Sequence, residues 1–92
     1  MRADQAETVA LRALGWLAGQ EEMLRLFLGA SGCTLADLSA RAGEAEFQIA
    51  VLDFLLMDDA WITAFCDAEG LGYDMPARAR RALPGGAEIN WT

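Results

Sequence analysis

Three arginines lie close together near the end of the sequence, and they are Arg78, Arg80 and Arg81. A guanidinium group offers five N–H donors in a planar fork, so it can bind a phosphate or a carboxylate through two parallel hydrogen bonds. The cluster could therefore bind a phosphate or an acidic partner. The alternative is structural, because cations near the C-terminal end of a helix stabilise that helix through its dipole.

Asp53 is the second residue of chemical interest, because it lies in the middle of the most apolar segment of the chain. A lone carboxylate buried among apolar side chains would cost too much free energy to be tolerated. We therefore expect Asp53 to face solvent or to pair with an arginine from another helix. A polar contact with a partner or a ligand is the alternative.

The remaining reactive side chains do not form a catalytic or metal-binding pattern. The chain has no histidine, the commonest acid–base group and metal ligand. Four further carboxylates lack the ligand spacing of a 12-residue calcium loop; they are Asp58, Asp59, Asp67 and Glu69. Cys33 and Cys66 form no C-x-x-C motif, so we predict free thiols that pack as small apolar groups. The sequence predicts a protein that is not an enzyme, with no cofactor and no metal.

The segment from Thr34 to Gly43 and the helix predicted after it resemble a helix-turn-helix. The second helix of this corner offers Glu44, Glu46 and Asp53 but no cation, whereas phosphate and base contacts require arginine or lysine. The net charge is −7, which opposes the approach of a duplex. We expect no nucleic-acid binding. A nucleic-acid-associated regulator that uses this corner or the arginine cluster is the alternative function.

The elements that must position these residues are predicted to be helices. The chain has 92 residues, 54% of them hydrophobic, and only two prolines, which suits one all-α domain with a single core. Glycine and capping residues divide it into helices over about 4–18, 20–28, 34–42, 45–57, 59–69 and 74–83. The predicted fold is a compact array of five or six short helices around a central buried helix at about 45–57. A single domain covers 1–86, and 87–92 form a C-terminal tail.

Helical periodicity predicts the core as well as the helix ends. The helix at 45–57 is apolar nearly all round, which is typical of a buried helix. We expect Asp4 to cap the first helix, with Glu7 three residues later. The predicted core residues are Leu14, Leu17, Phe27, Leu38, Val51, Phe54, Leu55, Ile62 and Phe65.

Several large side chains lie at or beyond the edges of the predicted inward faces. Aromatic residues, methionine and arginine are enriched at protein interfaces, so we interpret the protein as a small interaction module. The expected partner is a second copy related by a two-fold axis, or another protein. The predicted contact residues are Trp16, Asp53, Met57, Trp61, Arg78, Arg80, Arg81 and Trp91.

The location is predicted from what the sequence lacks. No apolar stretch approaches the length of a membrane span, so we expect no membrane association. The residues after Met1 do not form a secretory signal. We therefore expect a cytoplasmic protein.

Three segments of the sequence look familiar when they are taken together. They run from Val9 to Ala18, from Val51 to Asp59, and from Ala77 to Gly86, the last ending in A-R-R-A-L-P-G-G. They resemble a family of short all-helical proteins of unknown function from alphaproteobacteria. The resemblance implies a stand-alone domain in a bacterial cytoplasm, and it implies no catalytic or binding residue.

Overall fold

The structure is a computed structural model that describes residues 1–85. Over these residues the secondary structure is six α-helices without a strand, which confirms the predicted all-α fold. The helices are α1 (Ala3–Ala18), α2 (Glu21–Ser31), α3 (Leu35–Ala40), α4 (Ala45–Leu55), α5 (Asp59–Glu69) and α6 (Met75–Ala82). The predicted tail, and with it the predicted contact residue Trp91, lies outside the described residues.

Two of the predicted helix starts are confirmed by side-chain hydrogen bonds. Thr34 caps α3, and its hydroxyl accepts a hydrogen bond from the N–H of Asp37 while the Asp37 carboxylate accepts one from the N–H of Thr34. Asp58 caps α5, where its carboxylate accepts from the N–H of Ala60 at 2.8 Å. Both caps satisfy N–H groups that have no partner within the helix.

Two local predictions are wrong. Asp4 does not cap α1, because the helix begins two residues earlier and the side chain of Gln5 accepts a hydrogen bond from the N–H of Arg2 at 3.0 Å. The second helix does not stop at residue 28 as predicted, because α2 continues to Ser31 and ends at Gly32 with a φ of +74°. That left-handed conformation is available to glycine without strain, so the helix ends at this glycine.

The core is built on three helices that pack against one another, α1, α4 and α6. The helices α2 and α5 each contact both α1 and α4. More than half of the residues of α4 are buried, including Val51, Leu52 and Leu55. The central position predicted for this helix is therefore shared with α1, which contributes a continuous buried face from Ala6 to Leu17.

Four aromatic rings form a continuous row through the core. Trp61 stacks on Phe54 with ring centroids 4.7 Å apart. Phe54 meets the edge of Phe27 at 5.4 Å, and Phe27 meets Phe47 at 6.0 Å. These offset and edge-to-face arrangements are the favourable geometries for aromatic pairs. The row joins α2, α4 and α5.

Seven of the nine predicted core residues are buried, and two are not. Leu38 and Ile62 are only half-buried and pack against the margin of the core. Leu38 belongs to α3, the six-residue helix that only bridges α2 and α4. Several buried side chains are not among the predicted core residues, and they include Leu52, Ala79, Leu83 and the polar Gln48.

Candidate functional site

A groove with a volume of about 350 Å³ runs between α1 and the start of α6. Residues spaced by three and four positions along one face of α1 form one wall, and the loop before α6 and the first turns of that helix form the other. We call this the α1/α6 groove, and its lining residues are Met1, Gln5, Thr8, Val9, Arg12, Leu71, Met75 and Arg78. Its walls combine apolar groups with two guanidinium groups.

Arg12 is held in place by α5. Its Nε donates to Oε1 of Glu69 at 2.9 Å, and its Nη2 donates to the backbone carbonyl of the same residue, also at 2.9 Å. The second hydrogen bond reaches a carbonyl in the last turn of α5, where the negative end of the helix dipole favours a cation. Sequence analysis missed this residue, because its partner lies 57 positions away.

Arg78 and Arg81 extend the positive charge along α6. Both line a second, shallower depression beside Ala82. The only ion pair of Arg78 within the described residues is a long contact of 3.4 Å to Asp74, and Arg81 has no ion pair there. The groove and this depression together present three arginines, Arg12, Arg78 and Arg81, whose ion-pair partners are only two carboxylates, Glu69 and Asp74. The net charge of the chain is −7, so this surface is more positive than the chain as a whole.

Arg80 is separated from the other two arginines of the predicted cluster. It follows Arg78 by two positions, which places the two side chains on different faces of the helix. Arg80 hydrogen-bonds to the carboxylate of Asp53 on α4, and this bond raises the pKa of the Arg80 guanidinium. The structure therefore gives Asp53 the arginine partner from another helix that the sequence analysis expected.

The helix-turn-helix-like corner does not present a free second helix. That helix is α4, whose inner faces are packed against α1, α2 and α6, and its exposed positions include Glu46 and Asp53. Arg41, in the turn, donates to Glu44 at 3.1 Å and lies over the ring of Phe47 at 5.2 Å. These contacts stabilise the turn between α3 and α4, so the helix-turn-helix-like segment is explained by packing within the fold.

The large side chains predicted as partner contacts have different surroundings. Trp16 is half-buried and lies 5.7 Å from Phe65, and Trp61 is half-buried on Phe54. Met57 is 73% exposed, and it borders a shallow depression of about 200 Å³ between α2 and α4. Trp16 and Trp61 thus take part in packing, whereas Met57 lies on the surface.

Gln48 is the second residue that the sequence analysis missed. It is 2% exposed, and its Nε2 donates to the backbone carbonyl of Ala42 at 2.8 Å. Its Oε1 is buried without a hydrogen-bond partner in the described part of the chain. The signal was present in the sequence, because Gln48 shares one helical face with Leu52 and Leu55.

The two cysteines are free thiols in the structure, as predicted. Cys33 is half-buried and Cys66 is buried, where its thiol donates to the carbonyl of Gly72 at 3.4 Å. Burial raises the pKa of the Cys66 thiol, and the nearby carboxylates Asp67 and Asp74 raise it further. Across residues 1–85, cysteine, aspartate and glutamate side chains nowhere form a group of three that could hold a metal ion.

None of the six helices is both long enough and apolar enough to cross a membrane, as far as the structure describes the chain.

The model of the family described as "Protein of unknown function (DUF3572)" matches residues 3–86, which is nearly the whole chain and agrees with the resemblance found in the sequence. No curated protein and no solved structure matches the chain.

Proposed function

This chain belongs to the DUF3572 family of proteins of unknown function, and we propose that it is a small non-enzymatic module that docks on another protein through the α1/α6 groove. The segment of the partner that fits this groove is acidic and carries one apolar side chain. The observation that carries the proposal is the collection of Arg12, Arg78 and Arg81 on one side of an otherwise acidic molecule.

Charge complementarity favours an acidic segment. The net charge of −7 repels anions at long range, so a local excess of arginine is an unusual feature of this surface. Guanidinium groups bind carboxylates in a fixed bidentate geometry. Arg78 and Arg81 can turn toward a partner at small cost, since their own ion pairs are long or absent within residues 1–85.

The shape of the groove favours a side chain rather than a flat surface contact. Its volume of about 350 Å³ lies at the low end for ligand pockets. Val9, Leu71 and Met75 supply apolar contacts, and methionine adapts to side chains of different shape. One leucine or methionine of a partner, flanked by carboxylates, matches this combination of apolar and cationic groups.

Arg12 adds affinity because it is fixed before the partner binds. Its two hydrogen bonds to Glu69 immobilise the guanidinium group, so binding does not have to order that side chain. The groove supports binding rather than catalysis, because arginines stay protonated and neither donate nor accept a proton near neutral pH.

Site-directed photo-crosslinking tests the proposal. A photoreactive amino acid replaces Thr8 in the groove, and the same replacement at Ser39 on α3 is the control. We expect a crosslink to a second protein from Thr8 only. The captured protein is then purified, and its affinity is measured by calorimetry at several salt concentrations.

Charge reversal distinguishes docking in the groove from contact elsewhere. The double variant Arg78→Glu with Arg81→Glu should weaken binding by at least about tenfold, whereas Arg25→Glu on α2 should leave it unchanged. Affinity should also fall as salt rises, because exposed charges are screened. If the double variant and Arg25→Glu bound the captured partner with equal affinity, the proposal would be contradicted.

Two other outcomes would redirect the proposed function. A crosslink from Thr8 to a second copy of the chain, with a dimer mass in light scattering, would show self-association. Sub-micromolar binding of random duplex DNA at about 150 mM salt, lost in the double variant, would support the nucleic-acid alternative.

A further inference from the structure

We propose that, when no other protein is bound, the α1/α6 groove of one copy of the chain takes up the turn between α4 and α5 of a second copy. We call this segment the Met57 turn, and it consists of Met57, Asp58 and Asp59, between the end of α4 and the first residue of α5. The inference rests on the proposed function, because it concerns the same groove, and it adds what fills that groove when the partner protein is absent.

The side chains of the Met57 turn are exposed to solvent. Met57 is 73% exposed, which is the highest value for a large apolar side chain in residues 1–85. Asp58, Asp59 and Ala60, which follow it, are exposed as well. One carboxylate oxygen of Asp58 caps α5, and Asp59 makes no ion pair or side-chain hydrogen bond within the described residues. The turn thus presents a methionine beside two accessible carboxylates.

This combination matches the chemistry of the groove. The groove has a volume of about 350 Å³ and combines apolar walls with guanidinium groups. The side chain of Met57 is unbranched and flexible, so it adapts to an apolar surface of irregular shape. Asp58 and Asp59 supply carboxylates for bidentate binding by arginine. Arg78 and Arg81 are available for it, since their own ion pairs are long or absent within residues 1–85.

The other exposed apolar side chains lack this pattern. Leu11 and Leu26 each have an arginine as a direct neighbour in the sequence, and the arginines of the groove would repel that charge. Tyr73 donates its hydroxyl hydrogen to Asp67. Within residues 1–85, Met57 is the only large exposed apolar residue that is followed directly by two carboxylates.

The contact has to form between two copies of the chain. The helices α4 and α5 hold both ends of the Met57 turn, and none of its residues lines the groove of the same copy. Turn and groove are different surfaces, so the copies associate head-to-tail. A turn of three residues covers far less than about 1,200 Å², the area below which complexes are weak and transient. The chain therefore stays monomeric at the low concentrations of the crosslinking test.

The net charge of the chain does not prevent this contact. Two chains with a charge of −7 repel each other at long range. At about 0.15 M ionic strength, however, exposed charges that lie further apart than about 8 Å are largely screened from each other. Carboxylate and guanidinium groups in direct contact lie well within that distance. The local pairs therefore decide whether the turn binds.

The test is a concentration series of the ¹⁵N-labelled full chain, followed by NMR from about 20 µM to about 1 mM. We expect backbone amide resonances to shift with concentration in the Met57 turn and in the groove, at Thr8, Met75 and Arg78. Translational diffusion measured on the same samples should slow as the concentration rises. Leu26→Ala removes another exposed apolar side chain, and as the matched control it should associate as the parent protein does.

Two variants separate the two halves of the contact. Met57→Ala alters the turn and keeps the groove, whereas Arg78→Glu with Arg81→Glu alters the groove and keeps the turn. Each variant alone should associate at least fivefold more weakly than the parent protein. When labelled Met57→Ala is mixed with the unlabelled double variant, the groove resonances should shift and those of the turn should not. With the labels exchanged, the turn resonances should shift and those of the groove should not.

Three results would overturn the inference. One is the absence of concentration-dependent shifts up to about 1 mM chain. Another is equal association of Met57→Ala and Leu26→Ala, which would exclude the methionine. The third is a set of shifts confined to the Met57 turn and the depression between α2 and α4, because Met57 would then meet that depression of the second copy.

The inference and the proposed function fail in different ways. If a second protein were crosslinked from Thr8 but no concentration-dependent shifts occurred, docking on another protein would stand and the inference would be wrong. If the mixed variants gave the expected shifts but no second protein were captured, the inference would be supported and docking on another protein would be contradicted.

Discussion

Asp53 of α4 and Arg80 of α6 form an ion pair that links two of the three helices at the centre of the fold. Nε of Arg80 donates to Oδ1 of Asp53, and Nη2 lies 3.4 Å from Oδ2. The two side chains retain 34% and 48% of their exposure, for Arg80 and Asp53 respectively. The carboxylate of Asp53 therefore lies at the edge of the core, in contact with solvent. There it can bind Arg80 of α6 without a charge being buried.

A double-mutant cycle on this pair should give a small coupling energy. Because both side chains are partly exposed, we expect the interaction to contribute about 0.3–1 kcal/mol to the free energy of unfolding. Asp53→Ala, Arg80→Ala and the double variant are compared by urea denaturation, and the coupling should decrease in high salt. A coupling above about 3 kcal/mol would mean that the pair behaves as a buried one.

Phe54 should be among the most sensitive positions in the chain. It is 5% exposed and contacts the rings of Trp61 and Phe27. Phe54→Ala should lower the free energy of unfolding by about 3–5 kcal/mol through lost burial and a residual cavity. Met57→Ala, three residues further along the chain, is the control, and its effect should stay within about 0.5 kcal/mol because the side chain is exposed. Similar melting temperatures for the two variants would refute the packing of the aromatic row.

Two glycines should respond to alanine in opposite directions. Gly70 ends α5 with a φ of +69°, a conformation that strains any residue with a Cβ, so Gly70→Ala should lower the free energy of unfolding by about 1 kcal/mol. Gly15 lies inside α1, and a Cβ there would meet nothing within 4 Å. Gly15→Ala should therefore raise the free energy of unfolding by about 0.5–1 kcal/mol. Thermal unfolding followed by circular dichroism measures both, and a stabilised Gly70→Ala variant would disprove the assigned helix end.

The buried thiol of Cys66 should make the protein less stable at alkaline pH. Burial raises the pKa of this thiol in the folded chain, so above about pH 8.5 the unfolded chain releases the proton while the folded chain retains it. The stabilising contribution is complete below that pH and is lost as the pH rises, with a slope of at most about 1.4 kcal/mol per pH unit. The measurement is urea denaturation between pH 7 and pH 10.

Two variants separate this effect from other titrations. Cys66→Ala should lower the free energy of unfolding at every pH but reduce its slope above pH 8.5. Cys33→Ala, at the half-buried cysteine, is the matched control for the removal of a thiol. Tyr73, whose hydroxyl donates to Asp67 at 2.7 Å and whose pKa that bond raises, adds a further loss at higher pH. If the free energy of unfolding of Cys66→Ala fell with pH as steeply as that of the parent protein, the Cys66 thiol would not be the cause of the alkaline destabilisation.

Local sequence signals determined most of the helices and their ends. The cap at Thr34 and the cap at Asp58 depend on side chains that bond to the backbone two or three residues away, so they could be predicted without knowledge of the fold. The same holds for the buried faces of α1 and α4, since periodicity in the sequence directly marks one face of a helix. The error at Asp4 arose where Gln5 offered a competing local acceptor to Arg2.

The candidate sites depended on relationships that no local pattern contains. Arg12 meets Glu69 only because α1 and α5 pack together, and Arg80 meets Asp53 only because α6 packs against α4. Periodicity put Gln48 on a buried face, but only the approach of Ala42 showed which of its two polar atoms is satisfied. Helix formation is decided by neighbours in sequence, whereas the partners of a charged or amide group are decided by which helices meet. The sequence by itself determined the helices and their buried faces, and the tertiary structure decided which polar groups were left to bind something else.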